Sequence, residues 1–239
     1  MTFTENKWHN NLLATIPAND RAQWLSALEP VQLKAGNVIC EIGSTFHHVY
    51  FPTTSILSLT QLLIEGDTIE VAMIGSEGMS GISMLLGGGL SQQQVVVLHS
   101  GNAYRVLSSW VAEEVKRSPQ VMHQVLRFAQ SLMTQISQLG ACNRHHSINQ
   151  QLSRWLLSYA DRANSDTISC TQETIAHMLG VRRERIARAA FDLQRDGLIQ
   201  YSRGKIKILA KETLELRTCE CYTTIKSEYE RLRPLNRLI

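Results

Sequence analysis

The sequence has no apolar run near the roughly 20 residues that cross a bilayer, and Met1–Asn10 is polar rather than charged and then apolar. Neither a membrane span nor a secretory signal is expected, and the chain reads as cytoplasmic with no membrane partner. Cysteine is scarce: Cys40, Cys142, Cys170, Cys219 and Cys221 form an odd set without CxxC pairs. That spacing predicts reduced thiols rather than a disulfide framework or a zinc ribbon. Cys142, His145 and His146 lie close together, but they offer three ligands at the end of an expected helix. Surface polar residues are expected there, and no metal. GxSxG, HExxH and P-loop patterns are missing, so no catalytic residue is nominated and an enzyme is not expected. Internal repeats and low-complexity tracts are missing too.

What is present is an uneven charge. Residues 1–146 carry 8 basic and 10 acidic side chains, whereas residues 147–239 carry 16 and 11. Eight basic residues against three acidic ones fall within residues 182–207. A polyanion partner for the C-terminal part follows from that asymmetry.

With 239 residues the chain has length for one large domain or two ordinary ones. Two short helices are predicted around Leu12, Leu13 and Ile16 and around Trp24, Leu25 and Leu28. Short β-prone runs follow, at 37–40, 49–51, 56–64, 68–74, 94–98 and 103–106, punctuated by Gly36, Gly43, Pro52, Gly66-Asp67, Gly75 and Gly101-Asn102. Closely spaced strands of this kind predict a small antiparallel barrel or roll. From Pro119 the period changes to that of a helix. Val121, Val125, Phe128, Leu132 and Leu139 make one apolar stripe; Met122, Leu126, Ala129, Met133 and Ile136 make a second beside it. One stripe suffices to cover a sheet, so a symmetric partner helix is expected, with Val121, Val125, Phe128, Leu132 and Leu139 assigned to the dimer interface. The other arrangement is a helix sunk in the core of a monomer. Ile148, Leu152, Trp155, Leu156 and Tyr159 then begin a further amphipathic helix. The expected division is an effector domain over 1–118, a dimerisation helix over 119–146 and a DNA-binding domain over 147–239.

Within the last part, Thr171 is placed to cap a helix whose first turn holds Glu173 and whose inner side is Ile175, Met178 and Leu179. Gly180 supplies a turn, and a second helix follows with Ile186, Ala189, Ala190 and Leu193 facing inward. Arg182, Arg183, Glu184, Arg185 and Arg188 crowd its outward N-terminal half, the half that enters a major groove in a helix-turn-helix. Arginine can donate a bidentate pair to guanine and glutamate can accept from cytosine. Glu184 and Arg188, four residues apart, could equally pair with each other. After Gly197, residues 198–201 and 206–209 read as a hairpin whose tip carries Arg203 and Lys205, a wing suited to phosphate.

The stretch Ile175–Arg188, followed by Leu193 and Gly197-Leu198-Ile199, resembles the recognition unit of the cyclic-AMP receptor/fumarate-nitrate regulator (CRP/FNR) superfamily, and the resemblance extends over nearly the whole chain. Its base-reading Arg-Glu pair and later Arg fall on Arg183, Glu184 and Arg188; Arg182 stands where the family commonly has Ser. Val49-Tyr50-Phe51-Pro52 and the segment 75–89 resemble that superfamily's cyclic-nucleotide-binding β-roll. The resemblance implies an α+β fold: a β-roll, a long dimerisation helix and a C-terminal winged helix-turn-helix. It implies a homodimer acting as a transcription regulator on double-stranded DNA at palindromic promoter sites, in contact with RNA polymerase. It places the effector pocket around Gly78, Gly81, Ile82 and Ser83. Nucleotide-binding members follow the glycine with Glu and carry an Arg in the same loop. Here Ile82 follows Gly81, and residues 82–98 contain neither Arg nor Lys. Cyclic AMP held in the usual manner is not expected, no cofactor is predicted and the effector is open. The cysteine cluster of oxygen-sensing members has no counterpart before Cys40. The alternative of another class is a sensory module that acts mainly through protein partners.

Overall fold

The computed structural model describes residues 9–232. Helices α1 (Asn11–Ala14) and α2 (Arg21–Ala27) lead into β1 (Glu29–Leu33), β2 (Val38–Cys40), β3 (His48–Pro52), β4 (Ile56–Leu62), β5 (Thr68–Ile74), α3 (Ile82–Leu85), β6 (Gln94–His99) and β7 (Gly101–Leu107). The strands form two antiparallel sheets, ordered β1-β7-β3 and β2-β6-β4-β5. Side chains alternate across each strand, so Val49 and Phe51 of β3, Leu57 and Leu59 of β4 and Val106 of β7 meet inside the roll. The first five residues of β4 are all buried. Its opposite face is covered as well, which explains an apolar run where alternation would mark a solvated sheet.

Then come α4 (Ser108–Arg117), α5 (Pro119–His145) and α6 (Ile148–Ala163). Ser118 caps α5 by accepting from the Val121 N–H, with Pro119 in the first turn. The residues assigned from sequence to a dimer interface are corrected by the structure. Val121, Val125, Phe128, Leu132 and Leu139 are buried within the chain's own core. Gln135 fixes the register by receiving the Met73 N–H at 2.9 Å and donating to the Met73 carbonyl at 3.1 Å. The stripe left to solvent is Met122, Leu126, Met133 and Ile136; its fifth member, Ala129, is buried.

The remaining elements are β8 (Thr167–Ser169), α7 (Gln172–Leu179), α8 (Arg183–Arg195), β9 (Ile199–Ser202), β10 (Lys205–Ile208), α9 (Lys211–Arg217) and α10 (Glu220–Glu230). Helix α6 starts with a Ser147/Gln150 capping box and lies on the outer face of the β-roll. Ile56, Met73 and Leu98 of the roll share one core with Leu152, Trp155 and Leu156 of α6. Buried polar groups cross the same boundary. Trp155 Nε1 donates to Glu70 at 3.1 Å and Arg162 Nε donates to Glu77 at 2.6 Å, while within the roll Ser58 Oγ donates to the other Glu70 oxygen at 2.6 Å. The Arg162 guanidinium also stacks on the Tyr229 ring of α10, 4.5 Å from its centre.

Burial pushes the Glu70 carboxyl up to about 7, against the hydrogen bonds from Ser58 and Trp155 and the charges of Arg154 and Arg162, which pull it down. The folded chain holds this proton more tightly than the unfolded chain. The contribution to stability is therefore full below the ordinary carboxylate range and is lost as pH rises through about 7. Glu70→Gln keeps a neutral group of the same shape. Between about pH 5 and about pH 8 the wild type should lose about 1–3 kcal/mol relative to that variant. Denaturant midpoints measured across the range check this, and parallel profiles would rule it out.

Candidate nucleic-acid interface

The helix-turn-helix is assembled by local rules. Thr171 accepts from the Thr174 N–H at 3.1 Å and so caps α7, with Glu173 in its first turn. Ile175, Ala176 and Leu179 are its buried side, with Met178 half-buried against the same core. At Gly180 the backbone turns left-handed, with φ +62°, and an added Cβ would stand 3.0 Å from Ile69 of β5. Turn and close approach both need glycine here. Helix α8 buries Ile186, Ala189, Ala190 and Leu193. Small alanines in the middle of that face let α8 sit close to α6 and α7.

The opposite face of α8 is open. Arg182, Arg183, Glu184, Arg185 and Arg188 are all exposed. The only ion pairs of this set among the described residues are loose ones: Arg183 with Glu173 at 3.9 Å and Arg188 with Asp192 at 3.7 Å. Exposed pairs of this kind contribute about 0.2–1 kcal/mol each, so turning either arginine to another anion costs little. The Glu184–Arg188 pairing open at the sequence level is not formed, because Arg188 leans the other way to Asp192. The wing follows as β9 and β10 in antiparallel register, joined at Arg203 and Gly204 with φ +46° and +77°. Positive φ at both central residues is the two-residue turn whose twist suits a hairpin. It projects Arg203 at the tip with Lys205 and Lys207 exposed beside it. Strand β8, on the far side of β10, completes a three-stranded sheet. A cleft between the β4–β5 tip, Gly66-Asp67-Thr68, and the start of α8 is lined by Arg182, Arg183 and Arg185.

A second concavity, about 150 Å³, lies between the β-roll and α5. Gly81, Ile82 and Ser83 line it. Gly78 does not: its Cα faces the Phe128 ring so closely that a Cβ would stand 2.0 Å away, which makes it a packing glycine between roll and helix. Phe46, Leu59, Met79 and Leu132 make most of the wall apolar. Ser83, Ser91 and Gln93 are its polar groups, and no charged side chain among the described residues borders it. Met133 and Ile136 of the exposed α5 stripe form part of the rim.

The end of α5 differs from the surface patch expected from sequence. His145 is exposed, but Cys142 is completely buried, and Cys219 and Cys221, from a segment 77 residues farther on, pack against it beside His146. Two local signals existed: the i, i+4 spacing of Cys142 and His146 on one helix face, and the Cys-X-Cys at 219–221. Nothing in the sequence tied one to the other.

Residues 150–217 match the family model of the Crp-like helix-turn-helix domain. No curated protein matches the chain. Solved structures resemble it over most of its length. A crp/fnr-family transcriptional regulator structure from Eubacterium rectale is 20% identical, covering 87% of this chain and 97% of that one, with a TM-score of 0.69. FixK2 from Bradyrhizobium japonicum is 14% identical, covering 80% and 98%, also at 0.69. The c-di-GMP-responsive global regulator CLP from Xanthomonas campestris is 11% identical, covering 80% and 99%, at 0.66. At these identities the likeness to each is one of fold. Residues 150–217 thus match a Crp-like helix-turn-helix domain, and the chain as a whole, with that domain joined through α5 to a β-roll, has the fold of these regulators.

Proposed function

We propose that the protein regulates transcription as a homodimer that reads a palindromic site in double-stranded DNA, with α8 in the major groove and the wing on the backbone. The observation that carries this reading is the α8 face itself: four exposed arginines and one glutamate within two turns, held by a fully apolar inner side. Arg183, Glu184 and Arg188 read base edges, while Arg182, Arg185, Arg203 and Lys205 serve the phosphates. A module built to dock proteins has no need of such a face, which disfavours the alternative of a purely protein-directed sensor. RNA polymerase contact and a cytoplasmic location belong to the same proposal, and no catalytic residue is assigned.

The apolar Met122, Leu126, Met133 and Ile136 stripe supports the dimer, with two copies of α5 packing against each other. The cavity around Gly81, Ile82 and Ser83 supports an effector without a phosphate group. A cyclic nucleotide would bring a charge that no described residue of the wall neutralises. The rim shared with Met133 and Ile136 would let an occupant bias the way two copies of α5 pack.

Two measurements test this. On a best-binding duplex, Ala at Arg183, Glu184 or Arg188 should cost about 1–3 kcal/mol and relax preference at particular base pairs. Ala at Arg203 or Lys205 should weaken all sequences alike and lower the salt slope by about one unit per lost phosphate contact. Added cyclic AMP should change none of these affinities. Unchanged base preference in Arg183→Ala contradicts the assignment. For assembly, the pair Leu126→Glu and Met133→Glu should sediment as a folded monomer, whereas Phe128→Ala should lose about 3–5 kcal/mol of stability through its core cavity. A double variant that remains a dimer places the interface elsewhere.

A further inference from the structure

The end of α5 and the start of α10 bring together a donor set that the DNA-reading surface does not use. Cys142 and His146, one helical turn apart at the end of α5, face Cys219 and Cys221, which flank the first residue of α10. The three sulfurs and a ring nitrogen of His146 all lie within 4.8 Å of one another. Cys142 Sγ and Cys219 Sγ are 3.6 Å apart, and Cys221 Sγ is 3.4 Å from His146 Nδ1. We propose that Cys142, His146, Cys219 and Cys221 bind one tetrahedral, thiophilic divalent ion of the zinc class, tying the hinge between α5 and α6 to the last described helix.

The spacing suits a single ion. Metal–sulfur and metal–nitrogen distances of about 2.3 and 2.0 Å put the corners of a tetrahedron about 3.5–3.8 Å apart, close to the two separations above. A disulfide needs sulfurs about 2.05 Å apart and would leave one cysteine and the histidine idle. An iron–sulfur cluster binds its ligands on different irons and needs them spread farther. The surroundings are those of a metal-bound imidazole: Nδ1 faces the sulfurs, while Nε2 lies 3.3 Å from the Glu220 carboxylate. A carboxylate on the distal nitrogen fixes the tautomer and ring plane of such ligands. Gln138 Nε2 donates to Cys221 Sγ at 3.3 Å, a contact suited to a thiolate. Gln151 holds the linking turn by donating to the His146 carbonyl at 2.8 Å and the Cys142 carbonyl at 3.4 Å.

Charge balance fits as well. Three thiols each release a proton on binding, so a divalent ion with three thiolates and a neutral imidazole carries a net charge of −1. Arg154 is buried on the neighbouring helix α6, its charge acts on Cys142, and its Nε has no hydrogen-bond partner among the described residues. His146 is also the residue between α5 and the Ser147 cap of α6. An ion there would hold the turn through which any movement of α5 reaches the helix-turn-helix.

The full chain, purified under reductant without chelator, should contain one zinc per chain by elemental analysis. Exchange into Co²⁺ should give visible bands of a tetrahedral ion and a sulfur-to-cobalt charge-transfer band in the near ultraviolet. Cys219→Ser and Cys221→Ser should lose both, and Cys40→Ser and Cys170→Ser should keep them. To separate loss of a ligand from loss of the fold, the wild type treated with chelator provides the second reading: it should regain the cobalt spectrum on adding Co²⁺. A wild-type chain that carries no metal and gives no such spectrum overturns the proposal. So does a cobalt spectrum that survives in Cys219→Ser and Cys221→Ser together, or an isolated metal-free chain with a Cys142–Cys219 disulfide.

Discussion

Helix α5 carries more apolar surface than one chain can bury, and the rest of the architecture is arranged around that surplus. One stripe, centred on Phe128 and Leu132, closes the core of the β-roll; Gly78 lacks a side chain because the Phe128 ring occupies its place. The adjoining stripe stays open at Met122, Leu126, Met133 and Ile136. Exposed apolar residues in a row at helical spacing are costly in a monomer and natural in a two-fold interface. The small cavity lies where the two stripes meet, bordered by Leu132 from one and Met133 from the other. A ligand there would touch the roll, the inner stripe and the outer stripe together.

The helix-turn-helix part is held to the roll at the seam between the roll and α6. Ile56, Met73 and Leu98 of the roll are buried in one apolar core with Trp155 and Leu156 of α6, and burial of that surface draws the two together. The buried acids Glu70 and Glu77 supply direction. Burying a carboxylate costs several kcal/mol unless its partners are well placed, so only an orientation that brings Trp155 to Glu70 and Arg162 to Glu77 is tolerated. Ile69 against Gly180 adds a steric contact between β5 and the turn of the helix-turn-helix. The domain carrying α8 is thereby held in one pose on the roll.

The parts legible in the sequence were those written locally. Thr171, Gly180 and the Ile186, Ala189, Ala190, Leu193 series define caps, turn and face within a few residues of each other, and the structure has each in that role. Strand β1 has no alternating signal because it is an edge strand with Pro30 and mostly exposed side chains. Helix α4 buries only Val111, Glu114 and Val115 and has no side-chain cap, and β8 is three residues long. The α5 stripes were both visible, but periodicity cannot say which of two equal faces meets the chain's own sheet. That depends on Phe128 finding Gly78 and Gln135 finding Met73, contacts across 50 and 62 residues. The sulfur cluster joins residues 77 apart for the same reason.

The central claim is that two copies of α8 read DNA with two-fold symmetry. It is tested most directly by selecting bound duplexes from a random-sequence pool with the unmodified protein. An inverted repeat whose half-site centres lie about one helical turn, roughly 34 Å, apart is the predicted result. Enrichment of a single asymmetric site, or no enrichment over the starting pool, would contradict it.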